Sequence, residues 1–129
     1  VTLSPLPVFA EWLSKQNLAD PLPIEDDQTI TNLAACYLVH GKTKSGTPFD
    51  PVARFHLGNG ACIHALHANA DISANGRSRS HAVMVNYLYD LKQLEANHQK
   101  FAADGVIACS GKVKDLADSA LNLLPDLKN

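Results

Sequence analysis

Ala82-Val83-Met84-Val85-Asn86-Tyr87-Leu88-Tyr89 (AVMVNYLY) is the stretch on which the fold turns. Its side chains alternate: Val83, Val85, Tyr87 and Tyr89 take one face, and Met84, Asn86 and Leu88 the other. Both faces are mostly apolar, so the segment is expected to be a central strand covered on both sides. Asn86 is a polar group in an apolar strand and must be satisfied somehow. The two phenols also seek partners when buried, and either could donate into a cleft.

Working upstream, Asp71 to Ser80 is a polar connection holding Asn75-Gly76. Ala61 to Ala68 reads as a second strand, antiparallel to the first, with Ile63 and Leu66 on opposite faces. His64 and His67, three apart, also fall on opposite faces and form no metal pair. Before it stands "DPVARFHLGNGA", Asp50 to Ala61. Asp50 can cap a helix, Pro51 sits where its missing N–H does no harm, and Val52, Phe55 and His56 share one face. Gly58 ends that helix, and Asn59-Gly60 turns the chain. Ile30, Leu33, Ala34, Tyr37 and Leu38 keep helical spacing up to a stop at Gly41, and Lys42 to Phe49 is an exposed loop. Asn17 to Asp27 is a polar connector broken by prolines. A short helix from Pro7 places Phe9, Trp12 and Leu13 on one side.

Downstream, Asp90 caps a helix carrying Leu91, Leu94, His98 and Phe101. Val113, Leu116, Ala117, Ala120, Leu121 and Leu124 give one final helix. The chain opens Val1-Thr2-Leu3-Ser4-Pro5 without a methionine. This reads as the end of a strand whose earlier part lies upstream, so residues 1–129 are expected to be a single partial domain of a longer protein.

The 129 residues are 46% hydrophobic and 19% charged, an ordinary globular balance. A formal net charge of −2 gives no reason to expect nucleic-acid binding. Cys36, Cys62 and Cys109 are far apart and form no CxxC pair, which argues against a zinc site and a disulfide framework. That usage fits a reducing compartment. No membrane helix or signal peptide is read, and a cytoplasmic location is expected. No P-loop or GxGxxG is present. The basic stretch Arg77-Ser78-Arg79-Ser80 reads as a solvated loop or a phosphate contact. His40, His81 and His98 read as surface or packing residues.

His56 is open to two readings. It is either a core histidine bonded to a backbone carbonyl or a buried acid–base group, since imidazole titrates near neutral pH and burial tunes it. Ser4 is likewise either a plain cap or turn serine or a hydroxyl projected into a cleft from a strand end. It lacks the G-x-S-x-G setting of a hydrolase elbow, which counts against an ordinary acyl-enzyme triad.

Four ordered blocks, "TLSPLPVFAEWL", "DPVARFHLGNGA", "ADIS" and "MVNYLYDL", together resemble the C-terminal catalytic domain of malonyl-CoA decarboxylase, from Thr2 to about Phe101. The resemblance implies an α/β fold: the C-terminal half of a GNAT-like mixed sheet with packed helices, in an incomplete domain. It implies decarboxylation of malonyl-CoA to acetyl-CoA and carbon dioxide. The catalytic pair implied is Ser4 and His56, with Tyr89 and Asn86 on the substrate side, and no metal or cofactor. Malonyl-CoA would be the substrate, with no nucleic-acid or membrane partner and a homo-oligomer in the full-length protein. Ser73 of ADIS matches a structurally sensitive position. Departures are Val8 and Ala82, where relatives usually or frequently carry glycine, His67 and Ala68 in place of asparagine and tryptophan, and a shorter 17–27 connector. Two rival readings remain: another acyl-CoA acyltransferase of the same fold, and an inactive fragment or interaction module.

Overall fold

In the computed structural model residues 2–18 and 26–128 are described; Val1, residues 19–25 of the connector and Asn129 lie outside them. The elements run β1 (Thr2–Pro5), α1 (Phe9–Ser14), α2 (Asp27–His40), α3 (Pro51–Gly58), β2 (Cys62–His67), α4 (Ala74–Ser80), β3 (Met84–Leu88), α5 (Leu94–Asp104), α6 (Gly111–Ser119), a 3-10 turn (Leu121–Leu123) and α7 (Pro125–Lys128). The fold is α/β. The sheet has the order β1-β3-β2, so β3 is central and its pairing with β2 is antiparallel. The family resemblance implies a mixed sheet. Among the described residues both strand pairs are antiparallel, and parallel pairing is confined to one bridge between Ile63 and Cys109.

The core lies on one face of β3. Val83, Val85 and Tyr87 are fully buried there, in one cluster with residues of α1, α2, α3 and α6. The expectation of cover on both sides is only half met, because Met84, Asn86 and Leu88 on the reverse face are half-buried. β3 also starts later than Ala82. His81 and Ala82 lie in the left-handed region at φ 51° and 65°, which cannot continue a strand.

β2 carries a bulge that alternation could not reveal. Its register slips between Ile63 and Ala65, so Ile63 faces Tyr87 while Leu66 faces Val85. Since Val85 and Tyr87 share a face, Ile63 and Leu66 do too, contrary to strict alternation. The extra residue offsets the period of two. It also removes the basis for placing His64 and His67 on opposite faces; both are exposed.

Two further expectations change. Residues 74–80 form a helix rather than a loop, although their composition is polar. Ser73 caps it by accepting from the Gly76 N–H at 3.0 Å, and Asp71 accepts from the Ser73 hydroxyl at 2.7 Å. A Cβ on Gly76 would stand 2.1 Å from the Asp71 carboxyl carbon, so a side chain there would push the Asp71 carboxylate away from Ser73. The final helix is not continuous: α6 ends at Ser119, and the chain tightens into the 3-10 turn before α7. The Asp90 cap holds only the turn ahead of α5, through the Lys92 N–H at 3.0 Å; Leu91 is exposed.

Candidate active site

β1 pairs Ser4 with Val85, which turns the serine toward the core face of β3. α3 lays His56 across that face. Its local sequence explains how: Asp50 accepts from the Ala53 N–H at 2.8 Å, and Pro51 opens the helix. Gly60, at φ 89°, turns the chain so closely beside Leu94 that a Cβ would lie 2.4 Å from its carbonyl oxygen. The far end of α3 is held from α5, where His98 Nδ1 lies 2.7 Å from the Gly58 carbonyl.

Ser4 and His56 are both buried, 5% and 8% exposed, and Ser4 Oγ lies 3.1 Å from His56 Nε2. The other ring nitrogen, Nδ1, lies 2.5 Å from the Tyr89 hydroxyl. The three side chains thus form one hydrogen-bonded run across 85 positions of sequence, Ser4–His56–Tyr89. Two imidazole tautomers satisfy it. In one, Tyr89 donates to Nδ1 and Nε2–H donates to Ser4, leaving the serine proton for a ligand. In the other, Ser4 donates to Nε2 and Nδ1–H donates to Tyr89. Burial pushes the His56 pKa below its ordinary value and the Tyr89 phenol above its own, so both are neutral near pH 7.

The imidazole also has a floor. It stacks on the Tyr87 ring with centroids 4.3 Å apart and planes 27° from parallel. The Tyr87 hydroxyl is buried and has no hydrogen-bond partner among the described residues. Behind α3, the buried Asp50 carboxylate accepts from the Tyr37 hydroxyl of α2 at 2.9 Å as well as from its own helix. Desolvation raises the Asp50 pKa, and its hydrogen bonds oppose that rise. Tyr37 is set in turn by Phe9, Trp12 and Phe49, with centroids 5.2, 4.9 and 6.2 Å away.

Asn86 is not brought to this cluster. It lies on the reverse face of β3, where its side chain pairs with His67 at 2.8 Å. His40 pairs with Asp118, and His81 packs edge-on against Phe9. Arg79 bonds Asn75 within α4. Among the described residues no group of three or more His, Cys, Asp or Glu side chains could hold a metal ion. None of their helices is long and apolar enough to cross a membrane. Sequence reading missed Tyr87 as the stacking partner and Tyr37 as the partner of Asp50. The only signal for the first was that Tyr87 shares a strand face with Tyr89; nothing local marks the second.

A family model described as the malonyl-CoA decarboxylase C-terminal domain matches residues 24–126. The chain belongs to that family. His56, Tyr87 and Tyr89 fall inside the match, and Ser4 lies upstream of it. α6, to which the four sequence blocks do not extend, falls inside it too. Malonyl-CoA decarboxylase, mitochondrial, of Rattus norvegicus is 33% identical over 106 residues, covering 82% of this chain and 20% of the relative. The crystal structure of malonyl-CoA decarboxylase from Rhodopseudomonas palustris superposes with a TM-score of 0.81 at 39% identity, over 89% of this chain and 32% of that one. The corresponding structure from Cupriavidus metallidurans gives 0.79 at 38%, over 89% and 37%. The chain therefore spans about a fifth of the rat decarboxylase and about a third of these two structures.

Proposed function

We propose that residues 1–129 are the C-terminal part of the catalytic domain of a malonyl-CoA decarboxylase, and that Ser4 and His56 form its reacting pair. The single observation that carries this reading is the buried 3.1 Å contact between Ser4 Oγ and His56 Nε2, made by residues 52 positions apart within this family.

Loss of carbon dioxide from malonyl-CoA breaks the bond between C2 and the carboxylate carbon. Its electron pair moves onto the thioester as an enolate, and a proton added to C2 completes acetyl-CoA. The thioester carbonyl is itself the electron sink, so this chemistry requires no metal or organic cofactor. What it requires is a dry site, donors that hold the anionic groups, and a proton source. In the tautomer with Nε2–H donating to Ser4, the serine hydroxyl is free to hold the substrate carboxylate. Neutral His56 polarises that hydroxyl through Nε2–H; the proton that C2 takes from Ser4 is replaced from Nε2 while Tyr89 donates its own to Nδ1, and Tyr89 regains a proton from solvent. Asn86, on the reverse face, takes no part in this step.

The remaining features of this reading concern the whole protein. The full-length polypeptide is a homo-oligomer that takes malonyl-CoA as substrate, with no nucleic-acid or membrane partner. The free thiols of Cys36, Cys62 and Cys109 suit a reducing compartment. The mammalian relatives are named mitochondrial, so the cytoplasmic expectation has no support from them. The test is carbon dioxide release from malonyl-CoA by the whole polypeptide carrying His56→Ala. A fall of roughly 10²–10⁴ is expected for loss of a general acid–base group. Unchanged turnover would return His56 to the status of a core histidine.

A further inference from the structure

We infer that Tyr87 is a positioning residue for His56, acting through the face of its ring and not through its hydroxyl. The inference rests on the reading of His56 as part of the reacting pair. Two hydrogen bonds and the Cβ tether hold the imidazole in place but leave it a small roll as χ1 and χ2 adjust, and rolling would swing Nε2 off the serine lone pairs. The stack on Tyr87, at 4.3 Å and 27°, is the contact that stops the roll. Tyr87 can serve as a rigid floor because it is itself immobile: it is fully buried in the central strand, with Thr2 on one side and Ile63 on the other.

The hydroxyl supplies a clean control. It has no hydrogen-bond partner among the described residues, so Tyr87→Phe breaks no bond and keeps the ring. Tyr87→Leu or Tyr87→Met removes the flat face and lets water beneath the imidazole. Other groups around His56 are few. Ser4 approaches from β1, Tyr89 from the end of β3 and Phe55 from its own helix. Asp50 and Arg54 are the charged residues of that helix and its cap, and from α5 His98 reaches Gly58. Desolvation alone accounts for the lowered His56 pKa, so admitting water moves it upward.

The experiment uses the whole polypeptide with labelled histidine, the His56 resonance being assigned by its absence from His56→Ala. Folding of each variant is first checked by a cooperative melt. Tyr87→Leu, with Tyr87→Met as the second variant, should lower kcat at least about tenfold with KM changed less than about twofold, the mark of lost orientation. Its His56 titration should move to higher pH. Tyr87→Phe should keep kcat within about threefold, since no bond is removed, and keep the titration where it was. An unmoved titration in both apolar variants overturns the inference. So does a Tyr87→Phe variant with clearly lowered kcat or a displaced titration, and this conservative variant can overturn the inference even if the others do not fold. If His56→Ala keeps full turnover, the decarboxylase reading of the pair fails, while the imidazole titration still decides whether Tyr87 holds the ring.

Discussion

On the core face of β3, polar groups are few and held against aromatic rings, with Ser4 and His56 buried and Tyr89 half-buried; on the reverse face they are wet. Ser4, His56 and Tyr89 connect three separate segments on the first face, with Tyr87 beneath them. Asn86 and His67 pair on the second, half in water, beside a Leu3 that is 51% exposed. Both faces contain a histidine in a hydrogen bond, so possession of one distinguishes nothing. Burial does. It keeps the His56 imidazole neutral and excludes the water that would compete for Ser4, whereas His67 can exchange its partner for solvent at little cost.

The sharpest way to break that contrast is to truncate one side chain on each face. On the proposed reading, in which the two act as one unit, Ser4→Ala should reduce carbon dioxide release by the whole polypeptide roughly 10²–10⁴-fold, as for His56. His67→Ala should leave it nearly unchanged, as exposed substitutions usually shift free energies by no more than about 0.5 kcal/mol. A time course of both variants checks the pair. Equal losses would erase the distinction between the faces.

Next in size is Asp50→Ala. It removes the cap of the helix bearing His56 and strands the buried Tyr37 hydroxyl, at a cost of roughly 2–3 kcal/mol. Amide exchange across α3 should accelerate accordingly. Asp50→Asn, which keeps a capping oxygen, should lose less.

Acid should act in the same direction but more gradually. His56 and His81 both have pKa values lowered by burial from an ordinary 6.5. The unfolded chain therefore binds protons more readily than the native one. Their contribution to stability is full above pH 6.5 and is lost as pH falls below it toward the lowered native values. Amide exchange of α3 and β3 at pH values on either side of 6.5 measures this. Faster opening at the higher pH, after correction for intrinsic exchange, would contradict the sign.

The smallest expected effect is Ala82→Gly. Ala82 holds a left-handed φ of 65° at the entry to β3, and glycine adopts that conformation without steric cost. The gain should be no more than about 1 kcal/mol, because glycine also loosens the unfolded chain. A small rise in melting temperature would show it.

Legibility followed the range of the forces involved. α3 could be bounded from Asp50, Pro51 and Gly58 because capping, a fixed proline φ and helix termination act within a few residues. β3 was marked by alternation over eight positions. α4 was not, since Ala-Asn-Gly-Arg-Ser-Arg-Ser has little intrinsic helical preference. It forms around the Asp71–Ser73–Gly76 node, where side chains supply the bonds that propensity does not. The bulge in β2 was hidden for a related reason. One extra residue is visible only against the partner strand that defines the register.

The sequence by itself determined the short helix under His56, the central strand, its antiparallel neighbour and, through four ordered blocks, the family resemblance that pairs Ser4 with His56. Only the tertiary structure decided that these two side chains meet at 3.1 Å, that Tyr87 lies beneath the imidazole, that Tyr37 holds Asp50, and that Asn86 faces away from them all. The reason is physical. Periodicity and caps are local and repeat along the chain, whereas a contact between residues 52 apart depends on how a helix crosses a sheet, and packing across the core fixes that crossing.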